Sequence, residues 1–133
     1  MRITGMATRT SHINRVEELL VYQKGIAAAM QLFELTRAFP KEELYSLTDQ
    51  ARKSSRAICA CLAEAWGKRK YRAAFIAKIT DSEAEALETQ TWIRFSALCR
   101  YMQKETAATL FSDYDEIISM LIAMRNNPDV WLL

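Results

Sequence analysis

Apolar residues recur every three or four positions along most of the chain, which is the spacing of an amphipathic α-helix. Four segments show this spacing, and the predicted helices are Val16–Ala38, a second from just after Pro40 to Gly67, Arg72–Arg100, and a fourth from Lys104 or Ser112 to Arg125. The links between them are short. Short links place consecutive helices side by side and antiparallel, so the pattern predicts an all-α, up-down four-helix bundle over residues 16–125.

Residues at the predicted helix ends support these bounds. Phe39 precedes Pro40, and a residue before proline is pushed out of the α conformation, so the first helix should stop there. Glu42 and Glu43 then fall in a first helical turn, where carboxylates are favoured by the helix dipole. Gly67 is predicted to close the second helix in the left-handed conformation that glycine adopts easily.

Each predicted helix has an apolar face that should form the core. The first carries two stripes, Val16, Leu19, Ile26, Met30 and Phe33, and Val21, Ala28, Leu32, Leu35 and Phe39. The face of helix two is Leu44, Leu47, Ala51, Ile58, Leu62 and Ala65. The face of helix three is Phe75, Ile79, Ser82, Ala86, Thr89 and Ile93, and that of helix four is Leu110, Tyr114, Ile117, Leu121 and Met124. The small residues within the third face should let neighbouring helices approach closely.

The apolar surface is wider than one stripe per helix requires. The surplus residues are Trp92, Phe95, Leu98 and Met102 on helix three, and Ile118, Met120 and Ile122 on helix four. A broad core face in a monomer would account for them. We favour self-association, because monomers rarely expose large contiguous apolar patches.

Two tails flank the predicted bundle. Residues 1–15 lack periodicity and should form a disordered N-terminal tail. Residues 126–133 form a C-terminal apolar tail that should fold back over the bundle or onto a neighbouring subunit. The chain contains no apolar stretch long enough to span a membrane and no signal-peptide pattern, so we expect a cytoplasmic protein.

Positive charge is concentrated in the middle of the chain. Residues 52–78 contain eight Lys or Arg against Glu64 alone, a net of +7, whereas the whole chain has a formal charge of +2. Such a concentration is typical of a surface that binds the phosphate backbone of nucleic acid. The candidate nucleic-acid-binding residues are Arg52, Lys53, Arg56, Lys68, Arg69, Lys70 and Arg72. The alternative is that the basic residues form a solvated face, which pairs with Asp81, Glu83, Glu85 and Glu88. The one acidic residue among them, Glu64, is expected to pair with Arg56, Lys68 or Arg69.

Residues for catalysis or metal binding are scarce. His12 is the one histidine, which argues against Ser-His-Asp and Cys-His sites and against the di-iron sites of helix bundles. No glycine-rich phosphate-binding loop is present. The three cysteines do not form a CxxC pair and are expected to be buried thiols. We therefore expect no enzyme activity, no metal and no cofactor. Trp66 and Tyr71 flank the basic link, where packing of Trp66 against a helix is favoured over stacking on a base.

Several motifs resemble those of one bacterial family. They are Leu20–Lys24, the string from Phe39-Pro40-Lys41 to Ser54-Ser55, the segment from Ile58 to Ala65, and Glu85–Gln90, in that order. Together they resemble the four helix bundle proteins, also called ribosomal RNA intervening-sequence proteins. Two departures are Cys61 to Ala65, where the family commonly has Asn-Ile-Ala-Glu-Gly, and Arg100, where it has a glycine.

The resemblance implies an up-down bundle that assembles as a ring, typically a homopentamer. It also implies kinship with the accessory variability determinant of diversity-generating retroelements, which binds nucleic acid and a reverse transcriptase. We therefore expect a homo-oligomeric scaffold that binds RNA or DNA through the seven basic residues. The alternative is a protein-interaction adaptor, for example for a reverse transcriptase, without a direct role in nucleic-acid binding.

Overall fold

The computed structural model describes residues 13–133, which form four α-helices and three short 3-10 turns. The helices are α1 (Leu20–Thr36), α2 (Leu47–Gly67), α3 (Arg72–Leu98) and α4 (Lys104–Asn126). The 3-10 turns are Val16–Glu18, Lys41–Glu43 and Pro128–Val130. The α2 helix packs against α1 and α3, and α4 packs against α3 and α1. Consecutive helices are therefore neighbours, and the predicted four-helix bundle is confirmed.

Helices α3 and α4 bury the faces that their spacing predicts. All six predicted residues of α3 and all five of α4 are buried. The predicted face of α2 is buried too, except that Leu44 is 44% exposed. The prediction for Leu44 was wrong because α2 begins only at Leu47, so Leu44 lies in the link ahead of the helix.

The second predicted stripe of α1 belongs to the core, whereas the first does so only at its start, where Leu19 is 1% exposed. Val21, Ala28 and Leu32 are buried, whereas Ile26 and Met30 are 43% and 53% exposed. The rotation of α1 is set by Gly25, which is buried against α2. A Cβ atom at Gly25 would lie 2.7 Å from Cys59 Sγ, closer than real contacts allow. Ile26 follows Gly25 by about 100° around the helix and therefore points away from α2.

Small polar residues hold α2 close to α3. Thr89 Oγ1 donates to Ser54 Oγ over 2.8 Å, and Ser82 Oγ donates to the Ile58 carbonyl over 2.8 Å. Ser54, Ser82 and Thr89 are all buried. Because each short hydroxyl side chain has a partner, the two helices approach closely without leaving these groups unpaired.

The α1–α2 link is tied to the α3–α4 link. The Phe39 and Tyr101 rings pack with centroids 5.3 Å apart. The Glu43 carboxylate accepts hydrogen bonds from Ser46 Oγ (2.7 Å), the Tyr101 hydroxyl (2.9 Å) and the Leu47 amide (3.4 Å). The Ser46 and Tyr101 hydroxyls lower the pKa of Glu43. This clamp fixes the start of α2 at Leu47, later than the sequence predicts.

The left-handed helix end is at Arg100 and not at Gly67. Arg100 has a φ of 62°, and no glycine in residues 13–133 has a positive φ. The Tyr101 amide donates to the Ser96 carbonyl (2.9 Å) and the Arg100 amide to the Ala97 carbonyl (3.0 Å). These two bonds form a Schellman motif, in which the left-handed position is usually a glycine. The predicted end of α2 at Gly67 is confirmed, but the predicted left-handed conformation there was wrong, since the chain leaves α2 without a left-handed residue.

Part of the surplus apolar surface belongs to the core. Met102 is 6% exposed, and Ile118, Met120 and Ile122 are half-buried. These residues do not form the outer patch that the sequence suggests. Phe95 and Leu98 are 49% and 73% exposed.

The cysteines differ in exposure. Cys59 is buried, Cys61 is half-buried and Cys99 is exposed, so the expectation of three buried thiols was wrong for the last two. Cys61 lies outside the core stripe of α2, and Cys99 follows the last residue of α3, where side chains turn toward solvent.

Both ends of the described range, residues 13–133, pack against the bundle. Trp131 is 6% exposed, and its ring meets Trp66 edge to face with centroids 6.4 Å apart. The C-terminal apolar tail therefore folds back over its own bundle, one of the two arrangements that the sequence left open. Ile13 packs partly against the core. The rest of the predicted N-terminal tail, residues 1–12, lies outside the described residues.

Replacing Arg100 with glycine should stabilise the protein. A non-glycine residue in the left-handed region costs about 1 kcal/mol, so we expect Arg100→Gly to raise the free energy of unfolding by about that amount. Chemical denaturation measures the change. Arg100→Ala removes the same side chain but keeps the strain, and it should give no such gain. Equal stability of the two variants would contradict the assignment.

The Glu43 clamp should make stability depend on pH. A lowered folded-state pKa means that Glu43 stabilises the fold above the ordinary carboxyl pKa, and that this contribution is lost as pH falls through the folded value. Glu43→Gln should therefore lower the melting temperature at pH 7, and the difference from wild type should shrink at acid pH. The neighbouring exposed Glu42→Gln is the control. A Glu43→Gln effect that is constant with pH would rule out the ionised clamp.

Candidate nucleic-acid interface

The seven predicted binding residues lie at two separate places on the bundle. Arg52, Lys53 and Arg56 lie on the first half of α2, whereas Lys68, Arg69, Lys70 and Arg72 surround the α2–α3 link. Arg56 and Lys68 are twelve positions apart, which corresponds to about 18 Å along a helix axis. The exposed residues between them on α2 include Ala60 and Ala63, so the two groups do not form one continuous patch.

Three arginines surround the side chain of Phe33 at the end of α1. The Cζ atoms of Arg52, Arg56 and Arg37 lie 4.7, 5.7 and 6.0 Å from the ring centroid. We call Phe33, Arg37, Arg52 and Arg56 the Phe33 cluster. Arg52 is also fixed by its Nε, which donates to Thr36 Oγ1 over 2.9 Å. The guanidinium groups are therefore partly ordered before any ligand arrives.

Arg37 is a member of this cluster that was not predicted from the sequence. It follows Phe33 by four positions, and residues with this spacing are neighbours on a helix surface. This spacing identifies Arg37 only if Phe33 lies at the surface beside α2. The prediction of Phe33 as a core residue was wrong, since its ring lies beside the arginines of α2.

The Phe33 cluster has little compensating negative charge. Arg37 pairs with Glu34 over 3.5 Å, and both side chains are about two-thirds exposed. Arg52, Lys53 and Arg56 form no ion pair within residues 13–133. Like charges held around one ring repel each other, so an anionic ligand would relieve this repulsion.

The second group, Lys68, Arg69, Lys70 and Arg72, is called the link cluster. The Arg69 guanidinium lies over the Trp66 ring, 3.6 Å from its centroid, and its Nε donates to the Trp66 carbonyl over 2.9 Å. Partial burial lowers the pKa of Arg69. Arg72 pairs with Asp129. A cavity of about 370 Å³ adjoins Trp66 and Arg69 and is also lined by Asn14 and Trp131.

Trp66 is packed, as predicted from the sequence, but its ring meets the C-terminal segment. It is 9% exposed, and its Nε1 donates to the Asn14 carbonyl over 3.4 Å. Tyr71, in contrast, is 66% exposed.

The acidic residues of α3 have partners other than the seven candidate cations. Asp81 pairs with Lys78 (3.7 Å) and Glu83 with Arg125 (2.9 Å). Glu88 accepts a hydrogen bond from Trp92 Nε1 over 3.2 Å. Burial, and then the charges of Glu88 and Asp81, raise the pKa of Glu85. Within residues 13–133, these carboxylates therefore form no ion pair with the seven candidate cations, although Asp81 pairs with Lys78, the eighth cation of residues 52–78.

Glu64 does not join the basic residues either. It pairs with Lys78 over 3.1 Å, and the predicted pairing with Arg56, Lys68 or Arg69 was wrong. This ion pair joins α2 to α3.

Two other kinds of site are absent from the described part of the chain. Among residues 13–133, no group of three or more His, Cys, Asp or Glu side chains is arranged to hold a metal ion. None of the helices in that range is long and apolar enough to cross a membrane.

Comparisons with known proteins place the chain in one family. A solved structure with a TM-score of 0.73 and 26% sequence identity is a protein of unknown function from the S23 ribosomal protein family of Bacteroides thetaiotaomicron VPI-5482. The match covers 81% of this chain and 96% of that one. No curated protein sequence matches. The family model described as 23S rRNA-intervening sequence protein matches residues 17–123, and the chain therefore belongs to that family.

Proposed function

We propose that the protein is a non-enzymatic, homo-oligomeric scaffold of the cytoplasm that binds the backbone of RNA or DNA. The observation that carries this proposal is the Phe33 cluster, in which Arg52 and Arg56 are ordered on one aromatic ring without a carboxylate partner in residues 13–133. Arginine forms bidentate hydrogen bonds with phosphate, and an ordered guanidinium loses less entropy on binding.

The chemistry of the cluster predicts backbone binding without strong sequence preference. Phosphate contacts position a protein on nucleic acid but carry no sequence information. The ring of Phe33 is already occupied by guanidinium groups, so it offers no free face for stacking on a base. The exposed Lys53 adds a further cation on α2.

The outward face of α3 supports self-association. A stripe of exposed, uncharged residues runs from one end of the helix to the other, formed by Ala73, Ala77, Thr80, Ala84, Leu87, Thr91, Phe95 and Leu98. This stripe extends over about 37 Å. On α1, Ile26 and Met30 are exposed as well. Apolar surface of this extent is typical of a contact between subunits. We propose that the subunits assemble as a ring of five.

Assembly would strengthen the interaction with nucleic acid. Each subunit of a ring contributes its own Phe33 cluster, so the positive charges are repeated around the symmetry axis. Several modest sites on one particle bind a long polyanion much more tightly than one site does.

An adaptor is the second candidate function, and the same α3 face favours it. That face would then contact a partner protein, such as a reverse transcriptase, in place of another copy of this chain. Co-purification of a stoichiometric partner without nucleic acid would support the adaptor.

Neutralising the Phe33 cluster should weaken nucleic-acid binding. We expect Arg52→Gln/Lys53→Gln/Arg56→Gln to lose about tenfold or more in affinity for a labelled RNA hairpin at low salt. The slope of log affinity against log salt should become shallower by about 0.9 for each duplex phosphate that the variant no longer neutralises. Fluorescence anisotropy across a salt series measures both quantities.

The control for this experiment removes the same charge elsewhere. Arg15, Arg94 and Lys104 are exposed and lie outside both clusters, so their triple change to Gln should have a much smaller effect. Equal losses in the two triple variants would exclude a specific role for the Phe33 cluster. If wild-type protein binds neither RNA nor duplex DNA at low salt, the proposed function is wrong.

Charges placed on the α3 stripe should dissociate the assembly. Leu87 and Leu98 are 50% and 73% exposed, and Leu87→Glu/Leu98→Glu should convert the oligomer to a 15.3 kDa monomer because the new carboxylates would be buried at the interface. Leu44→Glu, an exposed leucine in the α1–α2 link, is the control. Analytical ultracentrifugation reads out the mass, and a monomeric wild type would refute self-association.

A further inference from the structure

The C-terminal segment Pro128–Leu133, here called the strap, lies directly on the link cluster. Asp129 pairs with Arg72. The Trp131 ring meets the Trp66 ring edge to face. The Leu133 amide donates to the Arg69 carbonyl over 3.2 Å. Two of the four link-cluster residues are therefore engaged by one short segment of the same chain.

The strap touches these residues with the chemical groups that a nucleotide would use. An aromatic ring lies against Trp66, where an unpaired base could pack, and a carboxylate lies on Arg72, where a phosphate could bind. Single-stranded nucleic acid is commonly bound by an aromatic ring beside basic side chains. The two strap groups are two residues apart, so one extended segment supplies both at once.

We propose that the surface formed by Trp66, Arg69 and Arg72 is a binding site for single-stranded nucleic acid, and that the strap competes with the strand for it. This inference rests on the proposed function, because it assigns a second and different ligand surface to the same scaffold. The Phe33 cluster binds phosphates of structured or duplex regions, whereas the link cluster binds an unpaired segment.

One of the interactions that hold the strap, the Arg72–Asp129 ion pair, is exposed to solvent, whereas Pro128 and Trp131 are buried. The Arg72 and Asp129 side chains are 58% and 78% exposed, so their attraction is weakened by water and salt. The regular structure of the strap is a single 3-10 turn, Pro128–Val130. Trp131, at 6% exposure, is the main anchor. A strand that packs a base on Trp66 and places a phosphate on Arg72 would offset the free energy of releasing the strap.

Release of the strap would uncover an aromatic and basic surface. Trp66 would be freed from Trp131, with the Arg69 guanidinium still over one face of its ring, and Arg72 would be freed from its carboxylate partner. Tyr71, Lys68 and Lys70 are already exposed beside them. The result is two aromatic side chains among four cations at one end of the bundle, a composition suited to an unpaired strand.

Weakening the strap should tighten single-strand binding. We expect Asp129→Asn to bind a labelled oligo-uridine about fivefold more tightly, the factor that corresponds to one exposed ion pair. Trp131→Ala should show an effect at least as large, provided that circular dichroism shows a folded bundle. Glu105→Gln removes an exposed carboxylate at the opposite end of the bundle and is the control.

Hydrogen exchange of the full chain gives an independent result. Saturating oligo-uridine should speed exchange of the Trp131 and Leu133 amides, which donate to Pro128 and Arg69 in the docked strap. Slower or unchanged exchange, together with Asp129→Asn binding like Glu105→Gln, would overturn the strap proposal while leaving the Phe33 cluster intact. Absence of binding to any nucleic acid by wild type and all variants would instead refute the proposed function itself.

Discussion

The structure depends on the close packing of α2 between its two neighbours. Gly25 lets α1 approach Cys59, and buried hydroxyls at Ser54 and Thr89 let α3 approach from the other side. Larger residues at these positions would separate the helices and open the core. The Glu43 clamp then fixes where α2 begins. Much of the family-like motif around Phe39 and Glu43 thus serves the fold.

This packing determines where the positive charge can go. With two sides of α2 buried, Arg52 and Arg56 extend over Phe33 at one end of the bundle, while the remaining cations gather at the α2–α3 link. The stretch of α2 between them, which carries no Lys or Arg, separates two surfaces of different chemistry. One presents guanidinium groups on an occupied ring, and the other combines cations with indole rings. A scaffold with both could hold structured and unpaired parts of one RNA.

The sequence predicted the fold well where a single spacing was present. The faces of α3 and α4 were identified because their buried positions follow one continuous spacing of three and four residues, although both helices carry further apolar residues. The sequence could not predict which stripe of α1 faces the core, because both stripes are apolar. The packing of Gly25 on α2 decides between them. For the site, composition located the basic residues but not their separation into two clusters. The role of Arg37 and the docking of the strap depend on distances across the bundle, which no local pattern contains.

Recognition of nucleic acid by the arginines of the Phe33 cluster is the claim on which the proposed function rests. Arginine side-chain NMR of the assembled protein, titrated with a short RNA hairpin, tests this most directly. The Nε–H signals of Arg52 and Arg56 should shift, while those of Arg94, which lies over Phe111, and of Arg125, which pairs with Glu83, should not. Signals of Arg52 and Arg56 that remain unchanged while the hairpin is bound would contradict the claim.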